Sequence, residues 1–104
     1  MQHTIVLDVL NAIEYPKEGI LSHIIFKGER MHATLFAMTA GQEMSEHTTS
    51  MEAMLHFLEG EIELTVEDKQ YTAAAGTWLR MAPRVAHSLV ANTNSKFYLV
   101  TIRP

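Results

Sequence analysis

At 104 residues the chain has room for one hydrophobic core and not for two, and 47% hydrophobic with 19% charged residues is the balance of a folded globule rather than a disordered segment. A net charge of −4 with histidine neutral, and eight Lys and Arg that never cluster, exclude phosphate backbones and anionic lipid surfaces as expected partners. The absence of cysteine excludes disulfides, thiolate metal sites and thiol nucleophiles together.

In chain order the sequence reads as short strands separated by turn residues. Thr4 to Leu10 opens as an apolar, β-branched strand, and Tyr15-Pro16-Lys17-Glu18-Gly19 breaks it. Ile20 to Phe26 and Met31 to Met38 form a hairpin across Lys27-Gly28-Glu29-Arg30. Thr39 to Gln42 turns into a histidine-bearing stretch that ends at Gly60. Within it, Ala53 to Leu58 is nearly continuous in apolar residues, as in a strand buried on both faces.

From Glu61 to Glu67 the alternation is strict, with Ile62, Leu64 and Val66 on a core face and glutamates on a wet one. Asp68-Lys69-Gln70 turns the chain into Tyr71 to Ala74. Thr77 to Met81, His87 to Ala91 and Lys96 to Ile102 complete the set. No segment sustains a helical period. Nine or ten strands in this length predict an all-β sandwich or barrel, which manages its free edges by closing or by pairing between subunits, so a homodimer is expected.

Two stretches carry histidines at matching places. Gly41 precedes His47 by six residues and Gly60 follows it by thirteen, while Gly76 precedes His87 by eleven across Pro83. These spacings resemble the two motifs of the cupins, over roughly residues 31 to 102. The resemblance implies a cupin-type double-stranded β-helix, or jelly-roll barrel, as a single domain over 1 to 104, with the strands of residues 4 to 26 at the sheet edge or a dimer interface. Thr49 and Ala53 stand where the family carries its second histidine and its glutamate or glutamine. Ala82 and Arg84 stand at the proline and glycine positions of the second motif.

His47 and His87 are therefore expected to face one interior pocket, and they are the two candidate metal ligands. Regular alternation from His47 places Thr49, Met51, Ala53, Leu55 and Phe57 inward, and Met81 neighbours the second motif. The expected pocket is His47, Thr49, Met51, Ala53, Met81 and His87. Two imidazoles hold a divalent ion weakly, whether Zn, Fe, Mn, Ni or Cu, unless a third donor joins. The candidates are Glu52, brought inward by a bulge near Thr48 to Ser50, His32 on the preceding hairpin, and Met51, whose thioether suits copper(I).

His3, His23 and His56 read as structural or surface residues, Trp78 as packing or dimer surface, and Arg80 and Arg84 as flanking charges at the pocket mouth. Three functions are consistent with the sequence. One is a small cupin of unassigned activity that binds a small molecule in a histidine-lined barrel. The others are a metal-dependent dioxygenase or isomerase, and a metal-free acid–base epimerase or isomerase in which Tyr71 or Tyr98 donates the proton. The first residues lack the basic start and apolar stretch of a signal peptide, and no window approaches the roughly 20 apolar residues of a membrane span. A soluble, cytoplasmic protein is expected.

Overall fold

Nine antiparallel strands make two sheets. In the computed structural model, which describes residues 4–104, they are β1 (Ile20–Lys27), β2 (Met31–Met38), β3 (Glu43–His47), β4 (Glu52–Glu59), β5 (Glu61–Val66), β6 (Lys69–Ala74), β7 (Trp78–Met81), β8 (His87–Ala91) and β9 (Ser95–Ile102). A five-stranded sheet runs β1-β2-β9-β4-β7, and a four-stranded sheet runs β3-β8-β5-β6. The described residues contain no helix. The reading of His3 falls outside them.

The period-two pattern decides which faces meet. Ala53, Leu55 and Phe57 of β4, Ile62 and Leu64 of β5, Leu89 and Ala91 of β8 and Phe97 of β9 are buried together between the sheets. Phe97 stacks on Phe36 at 4.8 Å between ring centroids and leans on Phe57 at 5.6 Å, joining three strands of one sheet. Each of these aromatic side chains keeps 150–250 Å² from water when buried, so this cluster dominates the core.

The outer face of the five-stranded sheet is covered at one end only. Leu35 and Ala37 are buried there beneath Ile13, with Tyr15 packed alongside. Lys96 anchors this cover: its Nζ donates to the Leu10 carbonyl at 2.8 Å and lies 5.0 Å from the centre of the Tyr15 ring. The Tyr15 hydroxyl donates to Glu59, and burial together with that carboxylate pushes the phenol above its ordinary value, so it stays a donor.

Two expectations need correction. Thr4 to Leu10 is not a strand, because the β1 edge it would have to join is left free by a chain that crosses the sheet face instead. The strand after the first histidine is not buried on both faces. Its residues Met54, His56 and Leu58 point to the outer face, where Leu58 packs against the partial cover and His56 is exposed.

Candidate functional site

His47 ends β3 and His87 begins β8, and the two are direct cross-strand partners. Opposed residues on one face of an antiparallel pair hold their Cβ atoms about 5 Å apart, close enough for two imidazoles to touch. They do so edge to face, with ring centroids 4.1 Å apart and planes at 63°. A register shift in β3 sets this up. Met44 pairs with Leu89 and His47 with His87, so two residues on β3, Ser45 and Glu46, stand against Ser88 alone on β8, and the extra residue puts both Met44 and the solvent-exposed His47 on the lining of one cavity.

The loops that carry the histidines are tied to one another. The Arg84 amide donates to the Thr49 carbonyl at 2.7 Å, and the Met51 amide donates to the Thr49 hydroxyl at 3.2 Å. Arg84 makes its bond from a left-handed backbone, φ +69°, at the position where the second cupin motif carries glycine. A residue with a Cβ costs about 1–3 kcal/mol there, a strain the surrounding hydrogen bonds must hold in place.

Between the sheets below the two rings lies a cavity of about 210 Å³. Its walls are almost entirely apolar, with Phe36, Phe97, Leu55 and Leu99 from the five-stranded sheet facing Met44 and Leu89 from the other. Ala53, Met81, Thr49 and Thr101 complete it. The space holds the bulk of about seven waters.

Each imidazole is fixed in the same way. Nδ1 of His47 lies 2.8 Å from the Ser45 carbonyl, and Nδ1 of His87 lies 2.9 Å from the Val85 carbonyl. A carbonyl only accepts, so Nδ1 carries the proton and Nε2 of each neutral ring keeps its lone pair. No other protein group among the described residues bonds these rings. The site thus carries two imidazole acceptors on touching rings at an otherwise apolar cavity.

Burial pushes the His87 imidazole below its ordinary value, and the charge of a protonated His47 adds to this, against the opposite pull of the Val85 carbonyl. The folded protein thus favours neutral His87. Relative to an unfolded value of about 6.5, this stabilisation is complete above that pH and is lost as pH falls from there through the lower folded value. We expect His87→Asn, which can still donate to Val85, to flatten the decline in melting temperature between pH 7.5 and 5. Parallel curves for the two proteins would refute the assignment.

The expected pocket residues His47, Thr49, Ala53, Met81 and His87 all line this cavity, and Met51 does not. The expected inward set fails at Met51 alone, because residues 48–51 lie outside any strand before β4 restarts at Glu52, and Ala53, Leu55 and Phe57 then resume it. The bulge lies earlier than expected, at Ser45–Glu46, so it aims His47 and leaves Glu52 outside. There Glu52 pairs with Arg80, Nε to carboxylate oxygen 2.5 Å. His32 pairs with Thr101 across β2 and β9 but does not line the cavity. Tyr98 faces the outer groove, and Tyr71 is exposed on β6, so neither can donate a proton inside. Sequence reasoning missed Met44, Phe36 and Thr101. Met44 was hidden by the bulge, and the other two reach the cavity only through the pairing of β2 and β4 with β9.

The residues present do not fit zinc, iron, manganese or nickel as such ions are usually held. Those ions take three or more imidazole, carboxylate or thiolate donors. Among the described residues no group of three or more His, Asp or Glu could hold a metal ion. The cavity offers two imidazoles, two hydroxyls and two thioethers.

A family profile described as "Cupin domain" matches residues 34–103. The chain belongs to the cupin family. Among solved structures, a conserved protein of unknown function from Streptococcus pyogenes is 27% identical, with a TM-score of 0.88 over 100% of this chain and 91% of that one. A cupin superfamily protein from Desulfitobacterium hafniense gives the same TM-score at 19% identity, covering 100% and 94%. Salicylate 1,2-dioxygenase from Pseudoaminobacter salicylatoxidans, as its G106A mutant, shares the fold at TM-score 0.76 and 14% identity, covering 81% of this cupin and 26% of the enzyme. No curated protein matches the chain. No helix among the described residues of this cupin is long and apolar enough to cross a membrane.

Proposed function

We propose that this cupin binds a compact, mainly apolar small molecule that donates a hydroxyl or amine hydrogen to the paired Nε2 atoms. One observation supports the reading: both Nδ1 atoms are committed to backbone carbonyls, which leaves the Nε2 lone pair of each neutral ring without a protein partner on two imidazoles that line an apolar cavity of about 210 Å³. That volume lies below the usual range of about 300–1,000 Å³ for drug-sized ligands, and it suits a single ring with a small polar substituent. A carboxylate brings no donor and meets two lone pairs, so it is disfavoured at neutral pH.

Calorimetric titration with phenol, aniline and benzoate at pH 7.5, with chelator present, tests this. Phenol or aniline should bind and benzoate should not. Each net hydrogen bond contributes about 0.5–1.5 kcal/mol, so His47→Ala and His87→Ala should each weaken binding about three- to tenfold. Binding that ignores both substitutions, or no binding by any of the three, sinks the proposal.

A second reading is favoured by Met44 and Met81, whose thioethers share the cavity with the imidazoles. Of the ions considered, copper(I) alone is matched by such a soft donor set. Under reducing, anaerobic conditions Met44→Leu and Met81→Leu should then weaken competition for copper(I), and unchanged competition would remove this reading. The metal-dependent dioxygenase or isomerase reading has less support, because Glu52 is held by Arg80. The acid–base reading lacks a tyrosine at the cavity.

A further inference from the structure

The two sheets differ in width, and the difference leaves part of an inner face uncovered. One sheet has five strands, and the sheet opposite has four and ends at β3. On β2 the usual order of burial is inverted: Ala33, Leu35 and Ala37, which face outward, are buried, while His32, Thr34 and Phe36, which face the other sheet, are only half-buried. Phe36 still lines the cavity. Beyond it the inner face of β1 and β2 continues the cavity wall as an open shelf, on which Ile24, opposite Thr34, is 56% exposed.

Cross-strand register lays polar groups across this shelf. Thr101 of β9, which lines the cavity, stands opposite His32 of β2, and His32 stands opposite Lys27 of β1. Directly opposed residues share a face, so the three form one row with steps of about 5 Å from strand to strand. Among the strand residues on this inner face, Lys27 alone carries a formal charge. Within the described residues, none of the three side chains is engaged in a hydrogen bond or ion pair. All three can donate, because an ammonium and a hydroxyl bring their own hydrogens and an imidazole carries at least one N–H in every tautomer. The His47–His87 pair, carried by the other sheet, offers acceptors instead. The site is therefore polarised, with lone pairs on one sheet and donors leading away along the other.

We propose that the ligand is bipolar: an apolar body in the cavity, a hydroxyl or amine at the imidazole pair, and a carboxylate on a short alkyl tail that lies on the shelf against His32 and Lys27. This rests on the reading of the imidazole pair given above and adds the class of ligand. A carboxylate fixed to the ring itself is held inside the apolar cavity, where losing its water is costly. One carried a strand step further reaches the row of donors and stays partly hydrated. With a net charge of −4 the chain offers anions no general attraction, so selection for the acid falls to this row.

The test is calorimetric titration at pH 7.5, in chelator, of 3-(4-hydroxyphenyl)propanoate and its uncharged amide, which differ only at the end of the tail. At about 20 mM salt the acid should bind the wild type about fivefold tighter than the amide, and about 0.5 M salt should shrink that preference. Lys27→Gln, an exchange at an exposed position, should abolish the preference and leave amide binding unchanged. Lys69→Gln makes the same change in net charge on the far edge of the other sheet and should leave the preference intact. If the amide and phenol bind through the histidines and the acid does no better, the shelf is overturned and the imidazole reading stands. The shelf is equally overturned if the preference survives Lys27→Gln, or if Lys69→Gln removes it as well. Failure of phenol, aniline and the amide to bind at all sinks the imidazole reading, and the bipolar ligand with it.

Discussion

Phe97→Ala should destabilise the fold by about 3–5 kcal/mol, the cost of removing a fully buried aromatic side chain from a core that can only partly close over the space. Phe97 is 1% exposed at the centre of β9, paired in register with Phe36 on β2 and Phe57 on β4. Its loss removes both ring contacts at once and leaves two neighbouring strands without a shared filler. Against a total of about 5–15 kcal/mol for a domain, this is a large part of the stability. Urea denaturation followed by circular dichroism should show the midpoint falling with little change in slope. A loss under about 1 kcal/mol would mean that the two sheets collapse into the gap and that the packing is far more plastic than described. Because Phe97 also lines the cavity, the core and the ligand site share a wall, and the same truncation enlarges the site.

Gly60→Ala should cost more than about 3 kcal/mol, for two separate reasons. The residue has φ +86°, a conformation that costs an L-residue about 1–3 kcal/mol. A Cβ built there would also lie 2.2 Å from the Asn94 carbonyl oxygen and 2.7 Å from Ser95 Cα, so the turn between β4 and β5 cannot accept it unless the start of β9 moves. Gly76 separates the two effects, because its φ is +95° and a Cβ there would meet nothing within 4 Å. Thermal denaturation of Gly60→Ala and Gly76→Ala side by side should therefore give clearly unequal losses. Equal losses would show that only the backbone angle matters and that the contact with Asn94 and Ser95 is loose.

These glycines also show what could be read from the chain. Gly60 and Gly76 mark motif boundaries in the sequence and turn out to hold backbone angles that other residues resist, so spacing and physics coincide. The strict alternation of Glu61 to Glu67 fixed the orientation of β5, and Ile62 and Leu64 are buried with the glutamates turned to water. The meeting of His47 and His87 was legible because their spacings from Gly41, Gly60 and Gly76 resemble the two cupin motifs. What failed did so where alternation is interrupted. The extra residue at Ser45–Glu46 brought Met44 inward, and the bend over 48–51 took Met51 out. Neither leaves a mark in composition, since Ser, Glu and Thr are as ordinary in strands' wet faces as in bulges. Thr4 to Leu10 misled for another reason: β propensity describes a willingness to pair, and among the described residues no backbone hydrogen bond holds Ile5, Val6 or Leu7.

The irregularity in β3 reaches beyond the imidazole it aims. β3 is the outermost strand of its sheet, and a kink in that position interrupts the row of amides and carbonyls that a foreign strand would need as a template. The rim beside the two histidines is thereby closed to fibre-like growth while remaining open to small solutes. The margin of the opposite sheet at β1 carries a register shift of its own, between Ile24 and Phe26, so both of these outermost strands interrupt the regular template at one point.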